Sequence, residues 1–335
     1  MRKDLIRVST SGMTREEWLE ERRKGIGGSD AGAILGLNPW TTPTNVYYDK
    51  IGALHQEDET EAIRIGRDLE PYVASRFEEL TGKTVRRTNY LLKTPEHPFL
   101  IANVDRLIVG EDAGLECKTA SAYKAKIYRG GEFPESYYCQ TVHYLSVTGA
   151  KRWYLASLIL GVGFKVFMMT TDPDDKLPPF AESMVYVSPD EIEALREAEI
   201  TFWNDYVLKE TPPPVDGLPS TTEAIETSID YDACTDDTAD LASCITDLDR
   251  YFELKSHIES LEQQAESIRQ RVMQSMAECT KGLCAGYSIS YKPQQRSTFD
   301  HKLYQKDHPD IDLSPYFKTS STRPLRIQRT ASTEE

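Results

Sequence analysis

The sequence predicts an α/β fold, with a mixed central sheet flanked by helices, followed by a C-terminal helix and a small β segment. Three observations predict it. Apolar residues fall near helical spacing over residues 58–81, strand-like runs separated by short turns occupy residues 100–119 and 152–170, and an amphipathic stretch covers residues 241–279.

The N-terminal part begins with a clear helix signal. Thr14 can cap a helix and Glu17 completes the capping box, so a helix is expected from about Arg15 to Lys24. A glycine-rich turn, Gly25–Asp30, follows this helix. The further helices predicted in this part cover residues 30–35, 44–51 and 58–81.

The middle of the chain alternates strands and helices. A strand over residues 100–109 contains Asp105, and a tight turn at residues 110–114 returns the chain as a strand that contains Glu116. The other elements predicted here are strands at 84–88 and 90–93, a helix over 134–147, a hairpin over 152–170 and a helix from 188 to about 209.

Composition indicates three regions. Residues 1–210 are expected to form the main domain, which ends at a run of three prolines. Residues 211–240 are acidic and rich in Pro and Thr, as a linker or a surface wrap would be. Residues 241–335 form an accessory region, whose helix is either a short coiled coil or docked on the main domain. The docked arrangement is favoured because the apolar stripe is short and imperfect.

Several protein classes are excluded by composition. No run of apolar residues is long enough for a transmembrane helix, and the first ten residues have no secretory core, so a cytoplasmic protein is expected. The six cysteines have no CxxC spacing, which argues against zinc or iron–sulfur sites. The net charge of -15 argues against nucleic acid at first sight, but basic residues cluster locally, notably Lys124, Lys126 and Arg129.

One constellation suggests metal-dependent phosphodiester hydrolysis. Asp105 and Glu116 lie on paired strands, so their carboxylates can approach one point. Glu116 and Lys118 share a strand face, and Cys117 points to the other face. Mg²⁺ prefers oxygen ligands, which the two carboxylates and the Cys117 carbonyl can supply. Lys118 would hold the attacking water or stabilise the developing charge. Taken alone, the pattern is weak and is more typical of surface charges on a hairpin.

The long helix adds a fourth candidate, Glu70. It directly precedes Pro71, and a residue before proline disfavours the helical conformation. A local kink there would aim Glu70 inward. The alternative is an exposed helix acid.

Five motifs in order make the chain resemble the YqaJ-like viral recombinase family, relatives of bacteriophage lambda exonuclease in the PD-(D/E)XK nuclease superfamily. The motifs are Trp18-x3-Arg22 followed by Gly25-Ile26-Gly27-Gly28-Ser29-Asp30; Gly66-x3-Glu70-Pro71; Ala102-x2-Asp105; Gly114-Leu115-Glu116-Cys117-Lys118-Thr119; and Pro134-x2-Tyr137-x2-Gln140-x3-Tyr144. Val104 stands where the family usually has proline before the first aspartate.

The resemblance implies a restriction-endonuclease-like core and a role for each motif. It makes Asp105 and Glu116 metal ligands and Lys118 the catalytic lysine. Glu70 would assist the metal or the water, and Gln140 would face the active site from a helix. Arg22 and Ser29 match positions that hold a terminal 5′-phosphate. Those roles suit a bidentate arginine and a serine in a glycine-rich turn.

The function expected from the resemblance is a metal-dependent exonuclease that digests double-stranded DNA from 5′ to 3′. It would use Mg²⁺, with Mn²⁺ as a substitute, and leave 3′ single strands for a phage annealing protein. A ring trimer, in a phage or prophage protein acting in a bacterial host, is implied as well. An endonuclease or single-strand-preferring nuclease, and a non-catalytic DNA-binding scaffold, remain alternatives. Lys124, Lys126 and Arg129 follow the catalytic strand and are expected to contact phosphates.

Overall fold

The computed structural model describes residues 1–54, 60–230, 233, 235, 238–317 and 324–329. The helices are α1 (Arg15–Arg23), α2 (Gly28–Ile34), α3 (Pro43–Lys50), α4 (Glu61–Thr81), α5 (Glu135–Thr148), α6 (Pro189–Phe202), α7 (Pro219–Thr227), α8 (Ile245–Met276) and α9 (His301–Asp307). The strands are β1 (Ile6–Ser9), β2 (Ile26–Gly27), β3 (Val85–Arg86), β4 (Tyr90–Lys93), β5 (Leu100–Ala102), β6 (Arg106–Ile108), β7 (Ala113–Ala120), β8 (Arg152–Ile159), β9 (Gly163–Thr170), β10 (Ser183–Tyr186), β11 (Lys281–Cys284) and β12 (Tyr287–Ser290).

Two sheets form the main unit, Met1–Ala233. The larger is mixed and has the strand order β10-β9-β8-β7-β6-β3, in which β7 and β8 are parallel while β6 and β7 are antiparallel. The smaller has the order β1-β4-β5-β2. Because β7 and β8 are parallel neighbours, the chain must cross over between them, and α5 lies within that crossover. The predicted α/β class, with a mixed sheet flanked by helices, is confirmed.

Helices cover both faces of the larger sheet. On one face, α4 packs through Val73 and Phe77 against Leu115 of β7. On the other face, α5 packs through Leu145 and its neighbours in a separate apolar cluster that includes Leu155 of β8. Since β7 side chains alternate, its even-numbered residues face α5 and its odd-numbered residues face α4.

The strand predicted over residues 100–109 is interrupted, which corrects the placement of Asp105. β5 ends at Ala102 and belongs to the smaller sheet, whereas β6 begins at Arg106 and belongs to the larger one. Asn103–Asp105 therefore connects the two sheets. Asp105 lies at a bend in this connection and not inside a strand.

Two other predictions differ from the structure in detail. α4 continues through Pro71 without a break in its helical assignment, so the predicted kink does not interrupt the helix. The main unit ends at Ala233 and not near residue 210, because α7 packs on α3, where Thr221 Oγ1 donates to Thr42 Oγ1 at 2.8 Å. The described part of the acidic stretch thus includes a packed helix.

The second unit, Cys234–Glu335, contains the long helix α8, the β11–β12 hairpin and α9. The hairpin is antiparallel, and Gly282 of β11 lies against Met276 at the end of α8. In the described part of the whole chain, no helix combines the length and apolar character needed to cross a membrane.

Candidate active site

Glu116 and Lys118 lie on the same face of β7, as the sequence predicts. Lys118 Nζ is 2.7 Å from Glu116 Oε1 and 4.8 Å from the centre of the Tyr137 ring on α5. Glu116 is only 3% exposed. Cys117 points to the opposite face, where it packs with the apolar cluster beneath α4. The carboxylate and the ammonium group therefore face the α5 side of the sheet together.

The side chain of Asp105 is held by the backbone of β7. Its Oδ2 accepts a hydrogen bond of 2.8 Å from the Cys117 N–H, which places its carboxylate beside that of Glu116. Burial, followed by the charges of Glu116 and Glu70, raises the pKa of Asp105 well above its usual value. Several carboxylates crowded into one buried place indicate a site suited to a positive charge.

One oxygen of Glu116 lacks a partner in the structure. Its Oε1 receives both Lys118 Nζ and Gln140 Nε2 at 2.7 Å, whereas Oε2 is buried without a hydrogen bond. A buried carboxylate oxygen without a partner is costly, and a bound cation would satisfy it. The residues present therefore fit a hard divalent cation. Mg²⁺ commonly uses one or two carboxylates and keeps several waters. Among the described residues, no cluster of three or more His, Cys, Asp or Glu is arranged to hold a metal ion.

The Cys117 thiol is unsuited to direct chemistry. Burial, together with the nearby Asp105 and Glu116 carboxylates, raises its pKa well above the ordinary value. Only the main chain of Cys117 is turned toward the site, through the N–H that binds Asp105. A ligand role for its carbonyl remains a prediction.

Gln140 on α5 holds the Glu116 carboxylate, which places it in the site as predicted. Its Nε2 also lies 2.8 Å from the hydroxyl of Tyr144, one helical turn further on. That hydroxyl in turn donates to the Asn103 carbonyl at 3.1 Å. Tyr144 therefore links α5 to the connection between the two sheets. Tyr144 ends one of the sequence motifs, but the motif alone predicts no role for it in the site.

Two arginines bind the carboxylate of Glu70. Its Oε1 accepts from Arg106 Nη1 at 2.5 Å and from Arg87 Nη2 at 3.0 Å. Arg106 is 6% exposed and also donates to the Asp105 carbonyl at 2.7 Å. Arg106 is not among the site residues predicted from the sequence. The one available signal was an arginine between Asp105 and the apolar residues of a short strand.

The predicted phosphate pair lies together. Arg22 Nη2 donates to Ser29 Oγ at 2.9 Å, and the Arg22 guanidinium lies 4.8 Å from the centre of the Trp18 ring. The turn before Ser29 is braced by Asp30, whose Oδ2 accepts from the Gly27 N–H at 2.9 Å. That carboxylate is paired with the buried ammonium of a lysine, Lys50, at 2.7 Å.

The pKa of Asp30 is lowered on balance. Burial raises it, but the charges of Lys50 and Arg22, together with hydrogen bonds, outweigh that effect. Asp30 is therefore ionised where it accepts the hydrogen bond from the Gly27 N–H.

A single cavity joins the two halves of the site. It has a volume of about 160 Å³, and its lining includes Arg22 and Ser29 as well as Asp105, Glu116 and Gln140. Glu70 and Lys118 do not line this cavity. Basic and acidic residues that are far apart in the sequence thus line the same cavity.

The three basic residues predicted to contact DNA lie outside that cavity. Lys124, Lys126 and Arg129 belong to a 3₁₀ segment, Ala122–Gly131, that follows β7. Lys126 and Arg129 are exposed, and Lys124 Nζ lies 5.1 Å from the centre of the Trp40 ring.

Comparison with known proteins gives a consistent result. Residues 17–151 match the YqaJ-like viral recombinase domain. The uncharacterized protein YqaJ of Bacillus subtilis (strain 168) is 38% identical over 311 residues, which cover 91% of this chain and 92% of YqaJ. The resemblance seen in the sequence motifs is confirmed.

Similar solved structures include LHK-Exo, an alkaline exonuclease from Laribacter hongkongensis, in complex with dAMP. That structure has a TM-score of 0.46 and 16% identity, and the match covers 58% of this chain and 93% of LHK-Exo. A phage-related exonuclease from Haemophilus somnus 129PT has a TM-score of 0.41 and 9% identity, over 56% of this chain and 96% of that protein.

Proposed function

Because this chain belongs to the YqaJ-like viral recombinase family, we propose that it is a metal-dependent deoxyribonuclease that removes nucleotides from the 5′ ends of double-stranded DNA. One observation carries the proposal. The Arg22–Ser29 pair and the Asp105 and Glu116 carboxylates line the same cavity, so a terminal phosphate and a scissile phosphodiester can be held side by side.

The carboxylates hold the cation in this proposal. Asp105 and the partnerless Oε2 of Glu116 are the protein ligands, with the Cys117 carbonyl as a third. Mg²⁺, or Mn²⁺ in its place, would lower the pKa of a bound water and neutralise charge on the phosphate. Gln140 prevents Glu116 from rotating, since it occupies the other oxygen at 2.7 Å.

Lys118 acts as a cation and not as a base. Burial lowers its pKa, but the Glu116 carboxylate, Tyr137 and Asp105 together raise it above the ordinary lysine value. A lysine that stays charged cannot accept a proton from water. It can orient the water and stabilise negative charge on the pentacovalent phosphorus.

Glu70 has an indirect role in this proposal. Arg106 and Arg87 occupy its Oε1, so Glu70 contributes negative potential at Asp105 without a vacant lone pair at that oxygen. Lys124, Lys126 and Arg129 lie outside the cavity and would contact phosphates further along the substrate.

The Arg22–Ser29 pair sets the mode of attack. Arg22 is already oriented by its bond to Ser29 and by the Trp18 ring, so a phosphate meets a preorganised guanidinium. A pocket of this kind favours an enzyme that starts from an end. The products would be 3′ single strands, which a phage-type annealing protein would receive in the cytoplasm of a bacterial host. Association as a ring trimer would keep such an enzyme on its substrate.

The test uses linear duplex DNA labelled at one 3′ end, incubated with Mg²⁺ or with EDTA. Substrates with 5′-phosphate and 5′-hydroxyl ends are compared, using wild type, Lys118→Ala and Arg22→Gln. We expect metal-dependent digestion that starts at the 5′ end and is lost in Lys118→Ala. We also expect wild type to prefer the 5′-phosphate and Arg22→Gln to lose that preference. Lys165→Ala on β9, whose lysine pairs with Glu182, is the matched control and should behave as wild type.

Other outcomes identify the alternatives. Nicking of a closed circle without digestion of linear DNA would indicate an endonuclease, and preference for single strands would indicate a single-strand nuclease. DNA binding without cleavage under any metal condition would indicate a recombination scaffold.

A further inference from the structure

Trp40 lies on the surface in a way that folding does not explain. Its side chain is 70% exposed, whereas Trp153 and Trp203 are 0% and 9% exposed. It stands in the loop between α2 and α3, where its backbone N–H donates to Asn38 Oδ1 at 3.0 Å. Most of this ring is therefore in water, where a ligand can reach it.

One cation, Lys124, reaches this ring from a second segment. Lys124 Nζ lies 5.1 Å from the centre of the Trp40 ring, a cation–π distance. Lys126 and Arg129 are exposed on the same 3₁₀ segment, and Tyr123 beside them is 97% exposed. Among the residues that the structure describes, none forms a salt bridge with any of these three cations. The three charges are therefore available to a polyanion. We call Trp40, Tyr123, Lys124, Lys126 and Arg129 together the Trp40 platform.

The α2–α3 loop and the 3₁₀ segment lie next to each other. Leu37 and Pro39 of the loop and Ile127 of the 3₁₀ segment line a common groove. Tyr128, the next residue, is fully buried and lies 6.2 Å from Phe167, centre to centre. The platform is thus anchored to the core, so little order needs to be gained on binding.

The platform also adjoins the active site along the chain. The 3₁₀ segment begins directly after β7, the strand that contains Glu116 and Lys118. Two residues of the same chain segment, Glu116 and Lys124, thus belong one to the active site and one to the platform.

From these features we propose that the Trp40 platform binds unpaired nucleotides of a DNA strand, with a base stacked on Trp40 and phosphates on Lys124, Lys126 and Arg129. Aromatic side chains bind bases whose faces are free, and in a duplex those faces are covered by neighbouring base pairs. The platform therefore favours single-stranded DNA over duplex. The inference rests on the proposed function only in assigning the strand to this enzyme's substrate or product.

The experiment measures binding without cleavage, so that it stands apart from nuclease activity. Full-length protein in EDTA is titrated with oligo(dT) that bears a 5′-hydroxyl, which leaves the Arg22–Ser29 pair without its phosphate. Anisotropy of a 3′ dye gives Kd, and tryptophan fluorescence reports stacking. Wild type should bind with quenching. Trp40→Phe should keep Kd within about twofold and lose most of the quenching, because phenylalanine still stacks. Trp40→Ala should weaken binding about 5- to 150-fold.

The charges and the specificity are tested in the same titration. Lys126→Gln should reduce the slope of log K against log salt by about 0.7, the value for one phosphate contact on a single strand. A relaxed closed circular duplex, added as unlabelled competitor, has no ends and no unpaired bases and should compete equally well with wild type and with Trp40→Ala. Tyr90→Ala, which removes an aromatic side chain that is 43% exposed on β4, is the control and should leave Kd unchanged.

Three results would overturn the inference: unchanged quenching in Trp40→Phe, unchanged Kd in Trp40→Ala, or an equal loss of single-strand and duplex binding. If the platform variants behave as expected but no metal restores cleavage, the proposed nuclease fails while the platform stands. If wild type cleaves DNA but the platform variants bind as wild type does, the platform inference fails while the proposed nuclease stands.

Discussion

Arg106→Gln should destabilise the protein far more than Arg87→Gln, although both remove a hydrogen bond to the same oxygen of Glu70. The Arg106 contact is 2.5 Å long and comes from a residue that is 6% exposed. The Arg87 contact is 3.0 Å long and comes from a side chain that is 59% exposed. Arg106 also binds the Asp105 carbonyl, which glutamine is too short to reach with the same geometry.

The magnitude follows from burial. Removal of one partner from a fully buried ion pair costs about 3–5 kcal/mol, because the other charge stays buried without compensation. The Glu70 side chain is 22% exposed and keeps Arg87 as a partner. We therefore expect about 2–3 kcal/mol for Arg106→Gln and about 0–1 kcal/mol for Arg87→Gln. At about 2–4 °C for each kcal/mol, Tm should fall by about 4–12 °C in the first variant and by less than about 4 °C in the second.

Thermal unfolding of the full chain, followed by tryptophan fluorescence, is the measurement. All four tryptophans lie in the unit Met1–Ala233, so the signal reports that unit. Glu70→Gln combined with Arg106→Gln completes a double-mutant cycle, and the pair should recover part of the loss. Equal losses in the two arginine variants, or strict additivity in the cycle, would refute the assignment of Arg106 as the buried partner.

Two further predictions concern the site and the core. Gly28→Ala would place a Cβ 2.8 Å from Tyr144 Cε1 and displace that ring, so cleavage should slow by about 10²-fold. Gly66→Ala, whose added Cβ would point into open space, is its control and should cleave as wild type. Equal rates for the two alanine variants would contradict the steric reasoning. His143 is buried, which lowers its pKa, but Glu199 at 2.7 Å outweighs this and the pKa is raised on balance. Its charge then stabilises the fold below its unfolded pKa, and the benefit is lost as pH rises through the folded pKa. In urea unfolding, the free energy of unfolding of wild type should exceed that of His143→Gln by more at about pH 6 than at about pH 9. A difference that does not depend on pH would show that the His143–Glu199 pair is not charged.

Local periodicity was sufficient for the central part of the site. Side chains on a strand repeat every two residues, so the placement of Glu116 and Lys118 on one face, with Cys117 on the other, follows from three consecutive residues. The hairpin predicted over residues 152–170 is likewise present as β8 and β9. In such cases the information lies within a few residues and does not depend on the rest of the fold.

Tertiary features were beyond the same reasoning. The apolar run around Asp105 has the pattern of one strand, and only the pairing partners show that its two halves belong to different sheets. The role of Arg106 depends on Glu70, a residue of a distant helix, and no spacing rule connects the two. Lys124 follows the catalytic strand closely, yet the chain turns at the end of β7 and takes this lysine to Trp40 instead of into the cavity.

The connection Asn103–Asp105 gives the cavity a mechanical property. Gly27 and Ile101 line it from the smaller sheet, and Glu116 lines it from the larger one, so the cavity spans the seam between two hydrogen-bonded bodies. A ligand that contacts Gly27 or Ile101 together with Glu116 would link the two sheets across this seam. Its binding energy would then oppose the separation of the sheets, so occupancy of the site and stiffness of the scaffold would rise and fall together.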